Sequence, residues 1–406
     1  MSAQTHTSPE AESALFSADF LNDPYPTYQQ LRAGPVFKTS LGFWLASRHE
    51  DVSLLVRDRR FGKDFEGNNV RKYGAGIMEE PAFRSASRMM LVLDPPDHTR
   101  LRGLVNKAFT TARIEALRTR IQELADALID QVEPHGEMDV MADFAHKLPV
   151  QVICDMLGIP VEDRERFLTR RQVSGRLIDP TPMSREEIDE ENERTLNSHA
   201  YFKGLFERRA EFPTDDLTTH LVQAEEAGDR LDEQELVSNV SLLFAAGHET
   251  TTNLIGNGLL ALHRNPDQWA RLTSDEVHWP DVVEELLRYD SSVQLTGRAA
   301  KAGATLGGVE IPEGDTVIGL LGSANRDPEA FDDPERLDVT RTGVRPMSFG
   351  GGIHTCLGAR LARLEGEVAF STLARRLPNM RLPELDAPQW RQTYTLRGLN
   401  VLKAEW

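Results

Sequence analysis

Apolar positions step along this chain mostly at helical spacing. Ile114, Leu117, Ile121, Leu124 and Leu128 recur every three or four residues, which predicts one amphipathic helix. Similar patterning predicts helices over 27–32, 49–57, 149–157, 186–211 and 359–377. The fourth of these is highly charged, with Ile188, Leu196, Phe202, Leu205 and Phe206 as a sparse inner face. Asp232 and Glu235 form a helix-start pair before an apolar run from Leu236 to Leu262 that meets no proline until Pro266. A helix of about 30 residues there spans about 45 Å, enough to cross a whole domain. Strand patterning is confined to short pieces: residues 42–46, a glycine-turned pair over 306–317, and a small sheet from Pro388 onward. Between Phe61 and Met89 the periodicity fades, and the segment reads as a long lid or binding loop. Residues 1–17 read as a loose polar tail. Residues 18–406 read as one large, mainly α unit with small β-sheets, because no repeat or linker-like composition divides them.

Composition narrows the partners. The 406 residues include 46 basic and 64 acidic side chains, a formal charge of −18. That excess argues against a nucleic-acid or anionic-membrane binder. The two cysteines, Cys154 and Cys356, are too few for a disulfide framework and point to a reducing compartment. Cys154 lies on the apolar face of its helix and reads as packing. No stretch approaches the ~20 apolar residues of a membrane span. The opening residues carry no apolar run, and mean hydropathy is −0.42. A soluble cytoplasmic protein is expected.

The chemistry gathers around the second cysteine. Phe349-Gly350-Gly351-Gly352-Ile353-His354-Thr355-Cys356-Leu357-Gly358 places a lone thiol in a glycine-rich loop directly before a helix. Backbone N–H groups and the positive helix end favour a thiolate there. Zinc lacks its other ligands at the usual spacing. A nucleophilic cysteine lacks an evident base and orienting partner. A haem axial thiolate needs one cysteine, an open loop and N–H donors to the sulfur. An inert thiol in a structural glycine turn is the plain alternative.

This segment resembles the haem-binding signature of the cytochrome P450 superfamily, Phe-Gly-x-Gly-x-His-x-Cys-x-Gly, with every fixed position present. Glu285-Leu286-Leu287-Arg288 matches the family's Glu-x-x-Arg motif, and Pro334-Glu335-Arg336-Leu337 resembles the segment that supplies a second arginine to it. The resemblance implies a structural clamp of Glu285, Arg288 and Arg336. It extends over nearly the whole chain from about Asp19 and is nearest the soluble bacterial branch. It implies a P450-type helical fold with the long central helix over heme b, Cys356 as axial ligand, and Phe349, Gly350 and Gly358 around the cofactor.

Ala245-Ala246-Gly247-His248-Glu249-Thr250-Thr251 falls in the middle of that long helix. An acid followed by hydroxyls contradicts simple core packing, and threonine can bond a carbonyl one turn back and open the helix. The resemblance makes this the oxygen-activation groove. Small Ala246 and Gly247 leave room for dioxygen, Thr250 supplies a hydrogen bond, and Glu249 relays protons from solvent. His98 and Arg102 stand i, i+4 on one helical face. The family pattern turns them, Arg298 and His354 toward the haem propionates.

The resemblance further implies a monooxygenase that hydroxylates or epoxidises a largely hydrophobic small molecule. Leu242, Val293, Gln294, Thr296, Leu295 and Leu396 are the expected pocket walls, together with the 61–89 loop. Arg102, Lys107, Arg360 and Arg363 would leave a basic patch on the cysteine side for an acidic ferredoxin, itself served by a ferredoxin reductase. The protein is expected to be a monomer. A peroxide-driven haem hydroxylase or decarboxylase, and a non-catalytic haem-binding sensor, are the alternative functions.

Overall fold

A computed structural model describes residues 9–15, 17–34, 36–106, 109–168, 174–226, 229–274 and 277–406. The helices include α1 (Asp97–Asn106), α2 (Lys147–Met156), α3 (Arg185–Glu211), α4 (Glu233–Arg264), α5 (Trp279–Tyr289) and α6 (Ala359–Arg376). α4 starts as its sequence dictates. The Asp232 carboxylate accepts from Glu235 N at 2.7 Å, and the Glu235 carboxylate accepts from Asp232 N at 3.0 Å. Every residue from Thr251 to Leu262 is buried. This half of α4 is therefore an interior helix, packed through Leu254, Ile255 and Leu259 against Phe144, Leu286 and Phe370. Helices hold 59% of the chain, in keeping with the mainly α class expected.

Beside the helices lies a five-stranded sheet of β1 (Val36–Lys38), β2 (Trp44–Ala46), β3 (Phe61–Gly62), β4 (Leu295–Ala300) and β5 (Thr316–Leu320), in the order β1-β2-β5-β4-β3. Only β2 and β5 run parallel. The antiparallel register sets Arg298 opposite Val317, and Gly62 opposite Ala299. The glycine-turned pair is split: Ala304–Leu306 and Val309–Ile311 form a hairpin, while Thr316 onward joins the large sheet. The C-terminal Lys403–Glu405 pairs with the distant Glu137–Asp139.

Three sequence expectations change. Residues 61–89 are not an irregular loop: Phe65–Tyr73 and Pro81–Ala86 are helices, the first capped by Asp64 on Gly67 N at 3.1 Å. Their isolated apolar residues make a small second core, Ile77 and Phe83 with Met183 and Ile188. The tail is helical over Pro9–Leu15, and Leu15 packs with Phe20 and Tyr28. The stripe from Ile114 to Leu128 is carried by two helices that meet at Leu117, Thr111–Ala116, capped by Thr110, and Arg118–Val132. Among the described residues no helix is long and apolar enough to cross a membrane.

Candidate active site

The cysteine loop is shaped by glycine. Gly350 and Gly352 have φ of +67° and +64°, the left-handed region. A Cβ on Gly352 would collide with the Val56 carbonyl oxygen, so the loop lies directly against the helix His49–Arg57. Cys356 N donates to Phe349 O at 2.9 Å, closing the loop, and Gly358, at the start of α6, turns its amide to the sulfur. The thiol is accessible from a concave face yet ringed by protein. Burial pushes its pKa up, against the Gly358 amide, Arg102 and Arg363. Desolvation thus outweighs the thiolate preference expected from the helix end.

Basic groups gather on one side of this cysteine. His98 of α1 and His354 of the loop stand 4.3 Å apart, ring centre to ring centre. Both ring nitrogens of His98 and Nε2 of His354 are buried without a hydrogen-bond partner. Burial lowers both pKa values, that of His354 to about 2, with the nearby cations adding to the effect. Arg102 Nη2 donates to Thr355 O at 2.6 Å, tying α1 to the loop. Arg298 is buried, and its Nη1 donates to Thr296 Oγ1 at 2.8 Å and Gly297 O at 2.9 Å. Burial pushes the pKa of Arg298 down to about 10.

On α4, Ala246 is exposed although the turns that follow are buried, and Leu357 packs into the same cluster as Leu242 and Leu243. The cysteine loop and this stretch of α4 therefore share one neighbourhood. The Thr250 hydroxyl donates to Ala246 O at 3.1 Å, the back-bond anticipated from sequence. Gly247 does not share this face. A Cβ there would press on Ile153 of α2, so this glycine serves helix packing, as a 100° turn per residue requires. Glu249 is also less open than expected: it is 3% exposed, and Arg391 Nη1 donates to it at 3.0 Å. No local signal connects these two residues, 142 positions apart. His248 is buried and bonded through Nδ1 to Phe244 O at 2.7 Å, and burial pushes its pKa down to about 4.

The clamp forms, with a different second arginine. Glu285 and Arg288 are fully buried on α5. All five Arg288 N–H donors are used: two on Glu285 (2.7 and 2.8 Å), and one each on Asn325 O, Pro334 O and Arg336 O. Arg336 therefore contributes its carbonyl, and its side chain is exposed. The guanidinium that reaches Glu285 is Arg341, whose Nε lies 3.3 Å from Oε1. The chain turns between these positions, bringing the later arginine inward.

Other expected pocket and surface groups are rearranged. Gln294 accepts from the Tyr28 hydroxyl at 3.0 Å and donates to Ser291 O at 2.7 Å, so its amide is committed to the core. Thr296 is committed to Arg298. Val293 and Leu396 face each other as an isolated bridge. A cavity of about 510 Å³ opens nearby, lined by Phe43, Phe65, Val92, Leu177, Leu295 and Arg298 among others. Leu295 and the 61–89 segment, through Lys63, Phe65, Asn69 and Lys72 among others, are the expected walls that line it; Leu242, Val293, Gln294, Thr296 and Leu396 do not. On the cysteine side Arg360 is exposed, while Arg363 pairs with Glu284 and stacks 4.4 Å from the Phe349 ring. Lys107 lies outside the described residues.

Glu365 of α6 was not singled out by sequence. It is 1% exposed, neither carboxyl oxygen has a hydrogen-bond partner, and burial pushes its pKa up to about 8. The Thr251 hydroxyl lies near enough to offset part of that rise, but outside hydrogen-bond geometry. Its usual value is 4.5. The stability this protonated carboxyl provides is therefore complete below about pH 4.5 and is lost as the pH rises through about 8. Glu365→Gln is expected to flatten the fall in Tm between pH 5 and 8; parallel wild-type and variant profiles would contradict this assignment.

The Cytochrome P450 family model matches residues 69–278 and 279–388. The chain is 42% identical over 389 residues to a putative cytochrome P450 133B1 of Xylella fastidiosa, covering 96% of this chain and 97% of that protein. It is 42% identical over 393 residues to a vitamin D(3) 25-hydroxylase of Pseudonocardia autotrophica, covering 95% and 94%. The solved structure of P450BioI with hexadec-9Z-enoic acid ligated acyl carrier protein superposes with a TM-score of 0.86 at 36% identity, over 96% of this chain and 100% of that one. Sequence, fold and the arrangement around Cys356 agree: the chain belongs to the cytochrome P450 family and is a haem monooxygenase.

Proposed function

We propose that this protein inserts one atom of dioxygen into a largely hydrophobic small molecule, by hydroxylation or epoxidation, with electrons from a separate ferredoxin and ferredoxin reductase. It acts as a cytoplasmic monomer whose catalytic unit spans 18–406. One observation carries the reading: a lone thiol at the start of α6 adjoins two imidazoles with orphaned buried nitrogens and two guanidiniums. That set fits heme b, with one sulfur for iron and basic groups for two carboxylates. Cys356 holds the iron as thiolate, since a coordinated cation deprotonates a thiol that burial alone keeps neutral. The Gly358 amide donates to the sulfur, and Phe349 and Gly350 fix the loop around it. His98, Arg102, Arg298 and His354 hold the propionates. Haem held in this way supplies dioxygen activation and the oxidising power.

The chain's own residues govern access and protons. Ala246 keeps the α4 wall low. The Thr250 hydroxyl accepts a hydrogen bond as it stands, but donates into the cleft only after leaving Ala246 O. Glu249 is the relay acid, and Arg391 holds its carboxylate at 3.0 Å. The clamp of Glu285, Arg288 and Arg341 serves stability. Exposed Arg360, with Arg102 beside the cysteine loop, supports docking of an acidic electron donor. Relatives named for vitamin D3 and for an acyl carrier protein charged with hexadecenoic acid support a hydrophobic substrate.

Thr250→Ala tests the relay. With the best binder from a screen of sterols, terpenes and fatty acids, the variant should still consume reductant but divert most of its electrons to the reduction of dioxygen to hydrogen peroxide. Peroxide and product per reductant are the measurements. Coupling equal to wild type removes Thr250 from the proton path.

A further inference from the structure

One cation near the propionate-binding groups belongs to no motif. Lys63 follows β3, where Gly62 pairs with Ala299. One more step in that antiparallel register brings residue 63 level with Arg298. The Lys63 ammonium lies 3.4 Å from Gly297 O and acts electrostatically on Arg298, His98 and His354. Its backbone is held in place too. The Lys63 amide donates to both oxygens of Asp94 at 2.9 Å, anchoring the end of β3 just ahead of α1, which carries His98 and Arg102. A Cβ at Gly62 would collide with the Asp94 carboxylate, so glycine permits this approach.

The charges there do not balance within the protein. Among the described residues, no carboxylate stands at ion-pair distance from Lys63, Arg102 or Arg298. Asp94, the acid that acts on Lys63 and Arg298, is paired with Lys301 at 3.1 Å. The Lys63 side chain is half-buried by surface area because it opens on the 510 Å³ cavity, yet protein surrounds its ammonium. Desolvation and then Arg298 push its pKa well down, partly offset by Asp94. Three convergent cations in a low-dielectric wall repel one another unless an anion of matching charge closes them. Resting on the haem reading above, we propose that Lys63 is a fifth basic residue of the cradle and holds a propionate carboxylate jointly with Arg298.

Lys63→Met keeps the stem and removes the charge, and Lys63→Arg keeps the charge. Haem transfer from the ferric holoprotein to excess apomyoglobin measures retention, and spectroelectrochemistry measures the midpoint potential. Lys63→Met should lose haem about tenfold faster, the effect of one charge-assisted hydrogen bond. Its potential should move negative, because a cation near the iron favours the reduced state. Lys63→Arg should restore most of both. Lys301→Met, on the other side of Asp94, should match wild type. Wild-type haem loss and potential in Lys63→Met overturn the proposal. So does weakened binding of a fatty acid with haem loss unchanged, which would make Lys63 a substrate contact. Failure of the parent reading is distinct: the wild-type protein itself would then lack a thiolate-ligated haem.

Discussion

Cys356→Ala is expected to abolish turnover to background while leaving the fold intact. The thiol supplies no packing that alanine cannot approximate: it lies at an accessible concave wall, and the loop is closed by backbone bonds and by glycine conformations. Within the loop 349–358 this sulfur is the one soft ligand, and no other side chain there can replace it as thiolate. The variant should show wild-type far-ultraviolet circular dichroism, reduced haem content, and no substrate-dependent consumption of reductant beyond the free-haem control. Retained turnover would mean that another residue ligates the iron. Histidine ligation by His354 is the specific rival, since its Nε2 is buried and unpartnered two positions away.

Arg288→Ala is expected to have the largest effect on stability. Both members of the Glu285–Arg288 pair are fully buried, and Arg288 spends all five donors on Glu285 and three backbone carbonyls. Removing the guanidinium leaves a buried carboxylate facing only Arg341 and the Asp338 amide, and three carbonyls unpaired. A loss of about 3–5 kcal/mol follows from breaking such a pair. Against the roughly 5–15 kcal/mol of a typical native protein, that is a large share of the whole and should sharply lower the recovery of folded holoprotein. Lysine cannot substitute, because one ammonium has three donors and no planar fork. The neighbouring arginines separate cleanly. Arg341→Ala should cost about 1–3 kcal/mol through its bond to Glu285, whereas Arg336→Ala should stay within about 0.5 kcal/mol because its side chain is exposed. Thermal unfolding of the three holoproteins ranks them. A larger loss at Arg336 than at Arg341 would return the clamp to the arrangement read from sequence.

That substitution of one arginine for another shows where the sequence stops informing. The cysteine loop, the capped start of α4 and the Glu-x-x-Arg spacing are local, so contiguous residues specify them. The partner of Glu285 is not local: residues 334–341 fold back, and the position that resembles the family's arginine offers its carbonyl instead. Gln294 reads as a polar pocket group, but its orientation is set by Tyr28, 266 residues earlier. The apolar residues of 61–89 are too sparse to show a period because their packing partners lie near Met183 and Ile188. Gly247 shares a motif with Ala246, yet one helical step turns it onto α2. Glu249 and Arg391, like Lys63 and Arg298, meet only through the tertiary fold.

The absorption spectrum of the purified, reduced, carbon monoxide-bound protein bears most directly on the whole reading. Thiolate ligation by Cys356 predicts the strongly red-shifted Soret band of a cysteinate-ligated ferrous haem, lost in Cys356→Ala. A band at the position given by histidine or neutral-thiol ligation, or a protein that binds no haem when supplied with it, would contradict it.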